Sequence, residues 1–218
     1  MFFDREDAGM HLADVLREMP LRNPLVLGIP RGGIVVGAVL ARELGADLDV
    51  VLARKLRAPY QPELAIGAIA ESGEVYLNHL GEEAAREMPD YLQREQEYQL
   101  AEIRRRQQQF RRARPPAPVA GRSVIVADDG IATGATMLAA LHVVRAEQPD
   151  ELIVAAPVAS PERLREIGKW CDRIVCIHAP DNFWAIGQFY EDFEQIEDAE
   201  VLELLRSFAP AHAGGPGA

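Results

Sequence analysis

The sequence predicts an α/β fold in which a Rossmann-like, mostly parallel β-sheet is covered on both faces by helices. Two observations predict it. Five short apolar runs, PLVLGI (24–29), LDVVLA (48–53), SVIVAD (123–128), ELIVAAPVA (151–159) and RIVCIHA (173–179), are continuous rather than alternating, as in strands buried on both faces. Most of these runs are separated by segments of helical period, the βαβ pattern of a parallel sheet.

The elements follow in order. Residues Asp4 to Met19 carry Ala8, Leu12, Val15, Leu16 and Met19 on one face, which predicts an amphipathic helix. The first strand runs into Pro30-Arg31-Gly32-Gly33, and a helix is predicted from Val35 to Leu44 with Gly45 as its stop. The second strand leads into Arg54-Lys55-Leu56-Arg57. Between Pro59 and Asn78, Ser72-Gly73 predicts a hairpin turn. Residues 81–114 are highly polar, with acids early and RRRQQQFRRAR late, the order that suits a helix dipole. They read as one long solvated helix; an RNA-binding patch is the alternative for its basic end. PPAP (115–118) breaks the chain stiffly. Helices are predicted again from Met137 to Ala146 and from Pro161 to Trp170, and the tail AHAGGPGA reads as disordered.

A single domain over 1–208 is expected, with a core at about 20–80 and 119–180, a helical insertion at about 81–114, a C-terminal hood at about 180–208, and a disordered tail at 209–218. With 48% hydrophobic and 26% charged residues the chain has material for a packed core. A formal net charge of −11 argues against general binding of nucleic acid or anionic membranes. Cys171 and Cys176 have neither the number nor the spacing of a disulfide framework or zinc site, and read as small core residues of a reduced protein. MFFDREDAGMHL has no signal-like apolar region and no run reaches membrane-span length, so a cytoplasmic location is expected.

In parallel sheets ligands bind beyond the carboxyl ends of the strands. Arg31, Lys55 and the stretch Asp128–Thr136 all follow strands there, so they are expected to converge. In VIVADDGIATGATM (124–137), Gly130, Ala132, Gly134 and Ala135 leave room for close backbone approach. Thr133 and Thr136 add hydroxyls, and a helix start adds amides, which together can cradle a monophosphate. The loop lacks the Gly-Lys-Ser/Thr end of a Walker loop and the G-x-G-x-x-G of a dinucleotide fold. Asp128 and Asp129 are placed to accept hydrogen bonds from neighbouring hydroxyls or to hold hydrated Mg²⁺. A phosphate beside a diol describes a ribose 5-phosphate.

The 124–137 segment resembles the 5-phosphoribosyl-1-diphosphate (PRPP) motif of the type I phosphoribosyltransferases. IPRGG (29–33) is similar to that family's pyrophosphate loop, which implies a binding role for Arg31 and Gly32 and a cis non-proline peptide. The resemblance also implies that Lys55 and Arg57 precede a mobile lid (59–78), in which Glu63 and Glu71 are candidate proton-transfer groups. DNFWAIGQFYEDF (181–193) resembles the family's hood, with Phe183 or Trp184 stacking on a base or closing the core. Ala132 occupies a loop position where enzymes acting on 6-oxopurines commonly carry an acid; adenine- and uracil-using members can have Ala there. The resemblance implies an enzyme with PRPP and a nitrogenous acceptor as substrates and Mg²⁺ as cofactor. Asp128 and Asp129 would hold the metal indirectly, through water and the ribose hydroxyls. It also implies a homodimer. The competing readings are a non-catalytic PRPP or nucleotide sensor and a PRPP-hydrolysing phosphohydrolase.

Overall fold

The computed structural model describes residues 1–208, apart from the side chain of Glu63. The expected disordered tail, 209–218, lies outside the described residues. Five strands form one wholly parallel sheet: β1 (Leu25–Gly28), β2 (Asp47–Val50), β6 (Ser123–Ala127), β7 (Glu151–Val158) and β8 (Arg173–His178), in the order β2-β1-β6-β7-β8. Every residue of β1 and β6 is buried, which explains their unbroken apolar runs. Helices α1 (Arg5–Leu16), α2 (Gly32–Leu44), α5 (Ala135–Ala146) and α6 (Pro161–Ile167) flank the sheet. Two large apolar cores result, one containing Leu12, Val26, Ile34 and Ile125, the other Leu27, Val126, Met137 and Val154. Both cysteines are partly buried beside the second core, and burial pushes each thiol up to about 11.

A second sheet of three antiparallel strands stands beside the first: β3 (Ala53–Ala58), β4 (Gln61–Ala70) and β5 (Val75–Leu77). The expected turn at Ser72-Gly73 joins β4 to β5. Lys55 and Arg57 lie on β3 itself.

The 81–114 segment differs from expectation in two ways. It forms two helices, α3 (His79–Glu87) and α4 (Pro89–Ala113). The break falls at Met88-Pro89, because proline brings no N–H and disfavours helical backbone in the residue before it. Nor is α4 simply solvated. Leu92, Glu95, Gln99, Ile103 and Phe110 are buried on one stripe, and α4 packs on β3 and β4. Two cations of its basic end are committed inside the protein, while Arg104, Arg105 and Arg112 are exposed. Arg111 meets Asp49 at 2.6 Å and Glu71 at 2.6 and 3.0 Å, and buried Arg114 donates to the Phe208 carbonyl and to Asp47.

The hood contains a 3₁₀ turn (Ile186–Phe189) and α7 (Asp198–Ser207). It is joined to the chain's start: Phe2 forms a β-bridge with Tyr190 and packs its ring 5.5 Å from the Tyr190 ring. No helix among the described residues is long and apolar enough to cross a membrane.

Candidate active site

Strands β1 and β6 are neighbours with Gly28 opposite Ala127, so the loops that follow them must meet at the carboxyl edge. The Ile29 amide donates to the Ala127 carbonyl at 2.9 Å, and the Pro30–Arg31 peptide is cis. The two loops then touch so closely that side chains are excluded. A Cβ on Gly32 would lie 1.9 Å from Asp129 Oδ2, and one on Gly33 would lie 2.5 Å from the Ala127 carbonyl oxygen. Glycine is the residue that permits this contact. In the β6–α5 loop, Gly134 caps α5 with φ +78°, a left-handed conformation that favours glycine. Ala132, Thr133 and Thr136 are exposed around it, leaving the hydroxyls and the helix start open to a ligand.

The two acids have different surroundings. Asp128 Oδ1 accepts the Asp129 amide at 2.9 Å. Burial, and then the charge of Asp129, pushes the Asp128 carboxyl well above the usual carboxylate range. Asp129 Oδ2 accepts from Arg5 Nε at 2.7 Å, with both side chains almost wholly buried. Arg5 also donates to the Glu194 carbonyl at 2.8 Å and lies 3.8 Å over the Phe193 ring. The Tyr190 hydroxyl donates to the Asp129 carbonyl at 2.7 Å. One carboxylate thus faces the loop with little compensation, while the other is clamped by the N-terminal helix and hood. No buried side-chain nitrogen or oxygen among the described residues lacks a partner, so the acid oxygens left unpaired reach solvent.

Around this centre the expected residues divide. Arg31 reaches Glu197 at 3.5 Å and remains partly exposed. Lys55, Arg57 and Thr136 line a cavity of about 270 Å³ together with Pro30 and Arg106. Arg57 is already engaged by Glu95, through Nε and Nη2 at 2.8 Å each. Burial alone would raise the Glu95 carboxyl, but the hydrogen bonds from Arg57 and Gln99 outweigh it and hold that carboxyl below its ordinary value. Glu71 is paired with Arg111, which leaves it poorly placed for proton transfer. Glu63's side chain lies outside the described residues. Phe183 packs 5.4 Å from Phe189, while Trp184 is 84% exposed; neither lines the Lys55 cavity. The hood segment does meet the loop, since a Cβ on Gly130 would strike Ile186 at 2.6 Å.

Sequence reasoning missed Arg5, Tyr190 and Arg106. Arg5 had one available signal. A cation at the first position of a helix capped by Asp4 and carrying Glu6 and Asp7 runs against the helix dipole.

A glycine loop, an acid pair and an open helix start thus meet at one edge of a parallel sheet in an α/β protein. Residues 4–194 match the phosphoribosyl transferase domain, and the chain belongs to this family. Two Mycobacterium tuberculosis proteins, from strains CDC 1551 and H37Rv and both named for phosphoribosyl transferase, are 42% identical over 224 aligned residues. The match takes in 98% of this chain and 49% of each relative, so the chain spans about half the length of the curated relatives it matches. A crystal structure of a Thermus thermophilus protein is 44% identical with a TM-score of 0.90, covering 96% of this chain and all of that one. The fold class anticipated from the sequence is therefore the one observed.

Proposed function

We propose that this chain is a Mg²⁺-dependent phosphoribosyltransferase that moves the 5-phosphoribosyl group of PRPP to a nitrogenous acceptor, most simply a nucleobase, releasing pyrophosphate. The observation that carries the reading is the contact of Gly32 and Gly33 with Asp128 and Asp129 at the edge of the parallel sheet. A diol-binding acid pair and a pyrophosphate loop would then meet on one small ligand.

In this reading the amides around Gly134, with Thr133 and Thr136, hold the 5-phosphate. Asp128 and Asp129 accept hydrogen bonds from the ribose hydroxyls, and Arg5 fixes the second acid from behind. Arg31, the Gly32 amide and Lys55 hold the pyrophosphate. The acceptor nitrogen forms the bond to C1 while the C1–O bond breaks, and the electron pair leaves with pyrophosphate. The acceptor's proton passes to water or to the departing group, since Ala132 offers no base. Positioning and the fixed cations lower the barrier as charge develops on the leaving group. Asp128 and Asp129 fit Mg²⁺ held through water: they form an adjacent carboxylate pair at the strand edge, and this ion keeps much of its water shell. When bound, it would supply further neutralisation of the pyrophosphate charge. A homodimer and a cytoplasmic setting belong to the same reading.

Arg31→Ala tests the assignment of the two ends. It should weaken pyrophosphate and PRPP roughly 10- to 150-fold, the worth of a hydrogen bond to a charged group. Ribose 5-phosphate should bind as before. Calorimetric titration of the three ligands reads this directly; equal losses for all three would remove Arg31 from the pyrophosphate.

A further inference from the structure

The cavity between β3 and α4 holds a cation for which the roles just proposed have no use. It opens beyond the ends of β1 and β2, and among the described residues Arg54, Lys55, Arg57 and Arg106 line it against one acid, Glu102. In a chain of net charge −11 this is a local reversal of sign. Arg57 has Glu95 as a counter-charge. Arg54 gives its Nε–H to the neutral amide oxygen of Gln99 at 2.5 Å, so its charge is not offset there. Arg106 is half-buried and makes no hydrogen bond and no ion pair within contact distance among the described residues. Burial lowers its pKa, with Asp198 opposing and the charges of Arg54, Arg105 and Arg31 adding to the fall. A partly desolvated guanidinium among like charges is costly unless an anion completes the site.

Strand order fixes which anion. The phosphate loop follows β6 and the hood segment follows β8, whereas this cavity lies over β1 and β2, on the other flank of β6. Thr136 and Pro30 belong to its wall, so it is continuous with both loops of the site. A ligand seated by its 5-phosphate on the β6–α5 loop would have its pyrophosphate on the Arg31 flank and its acceptor on the Phe183–Trp184 flank.

We propose that Arg106 is a binding residue for the pyrophosphate group of PRPP, so that helix α4 forms the wall of the leaving-group end. The assignment rests on the phosphoribosyltransferase reading for the identity of its ligand. It also implies that the acceptor enters from the hood side and not through this cavity.

The test compares wild type, Arg106→Gln and Arg106→Lys by calorimetric titration at fixed ionic strength, using pyrophosphate, PRPP and ribose 5-phosphate, each with Mg²⁺. Arg106→Gln should bind pyrophosphate and PRPP roughly 10- to 100-fold more weakly. It should bind ribose 5-phosphate as wild type does, and melt no lower, because an uncompensated charge has gone. Arg106→Lys should recover part of the affinity. Unchanged pyrophosphate binding in Arg106→Gln, or an equal loss that extends to ribose 5-phosphate, overturns the proposal. A wild type that binds pyrophosphate but not PRPP sinks the phosphoribosyl reading while the pyrophosphate arm still judges Arg106. A wild type that binds neither overturns both.

Discussion

Arg111→Met should lower the melting temperature by roughly 10 °C. Arg111 joins three elements: its guanidinium meets Asp49 at 2.6 Å at the end of β2 and Glu71 at 2.6 and 3.0 Å at the end of β4. The Asp49 side chain is 2% exposed and also accepts the amides of Val50 and Ala117. Methionine keeps apolar volume but leaves two carboxylates together, one of them buried, with no cation. Removing one partner of a buried pair costs about 3–5 kcal/mol, and in a chain of this size each kcal/mol moves the midpoint by about 2–4 °C. Adding Asp49→Asn and Glu71→Gln to Arg111→Met should restore much of the loss, because the stranded charges are then gone. A single variant that melts within a degree or two of wild type would mean that the network contributes no more than a surface ion pair.

The acid pair should separate into one variant that loses binding alone and one that loses binding and stability together. Asp128→Asn and Asp129→Asn should each weaken PRPP by roughly 1.5–3 kcal/mol, the worth of a charge-assisted hydrogen bond to a ribose hydroxyl. Their stabilities should move oppositely. The folded pKa of Asp128 is raised, by burial first and by Asp129 second. Such a group contributes stability below its unfolded value, near 3.9, and that contribution is lost as the pH rises through the folded value. At neutral pH the Asp128 charge is therefore a liability. Asp128→Asn should melt at or above wild type near neutrality, with the gap closing as the pH falls toward about 4. Asp129→Asn instead strands Arg5, whose side chain is 9% exposed, and should cost about 3 kcal/mol. Thermal melts across pH together with PRPP titrations check both variants. If Asp128→Asn melts well below wild type at neutral pH, or keeps full PRPP affinity, the site has been misread.

Much of this architecture was legible because its signals are local. Continuous β-branched runs bounded by turn residues marked all five parallel strands, and Gly45 marked the end of α2. The acid pair and the Thr-Gly turn lie within nine consecutive residues, so one loop could be read as chemistry. What was not legible depends on distance in sequence or on polar residues at buried positions. Arg5 lies 124 residues from the carboxylate that it clamps, and Tyr190 lies 61 residues from the carbonyl it holds. Glu95 and Gln99 occupy the buried stripe of α4 at positions where periodicity looks for apolar side chains. They are satisfied by Arg57 and Arg54 of β3, which no local pattern announces. The helix therefore read as solvated, and the cation it turns toward the cavity went unnoticed. Pro89 did stand in the sequence as a break within the 81–114 pattern.

The most direct test is pyrophosphate release from PRPP and Mg²⁺ across a panel of nucleobases and small amines, with product mass determined in parallel. The account predicts release only when an acceptor is present, and a product heavier than that acceptor by one phosphoribosyl group. Release without any acceptor would make the chain a hydrolase, and tight PRPP binding with no release across the panel would make it a sensor; either result contradicts the transferase reading.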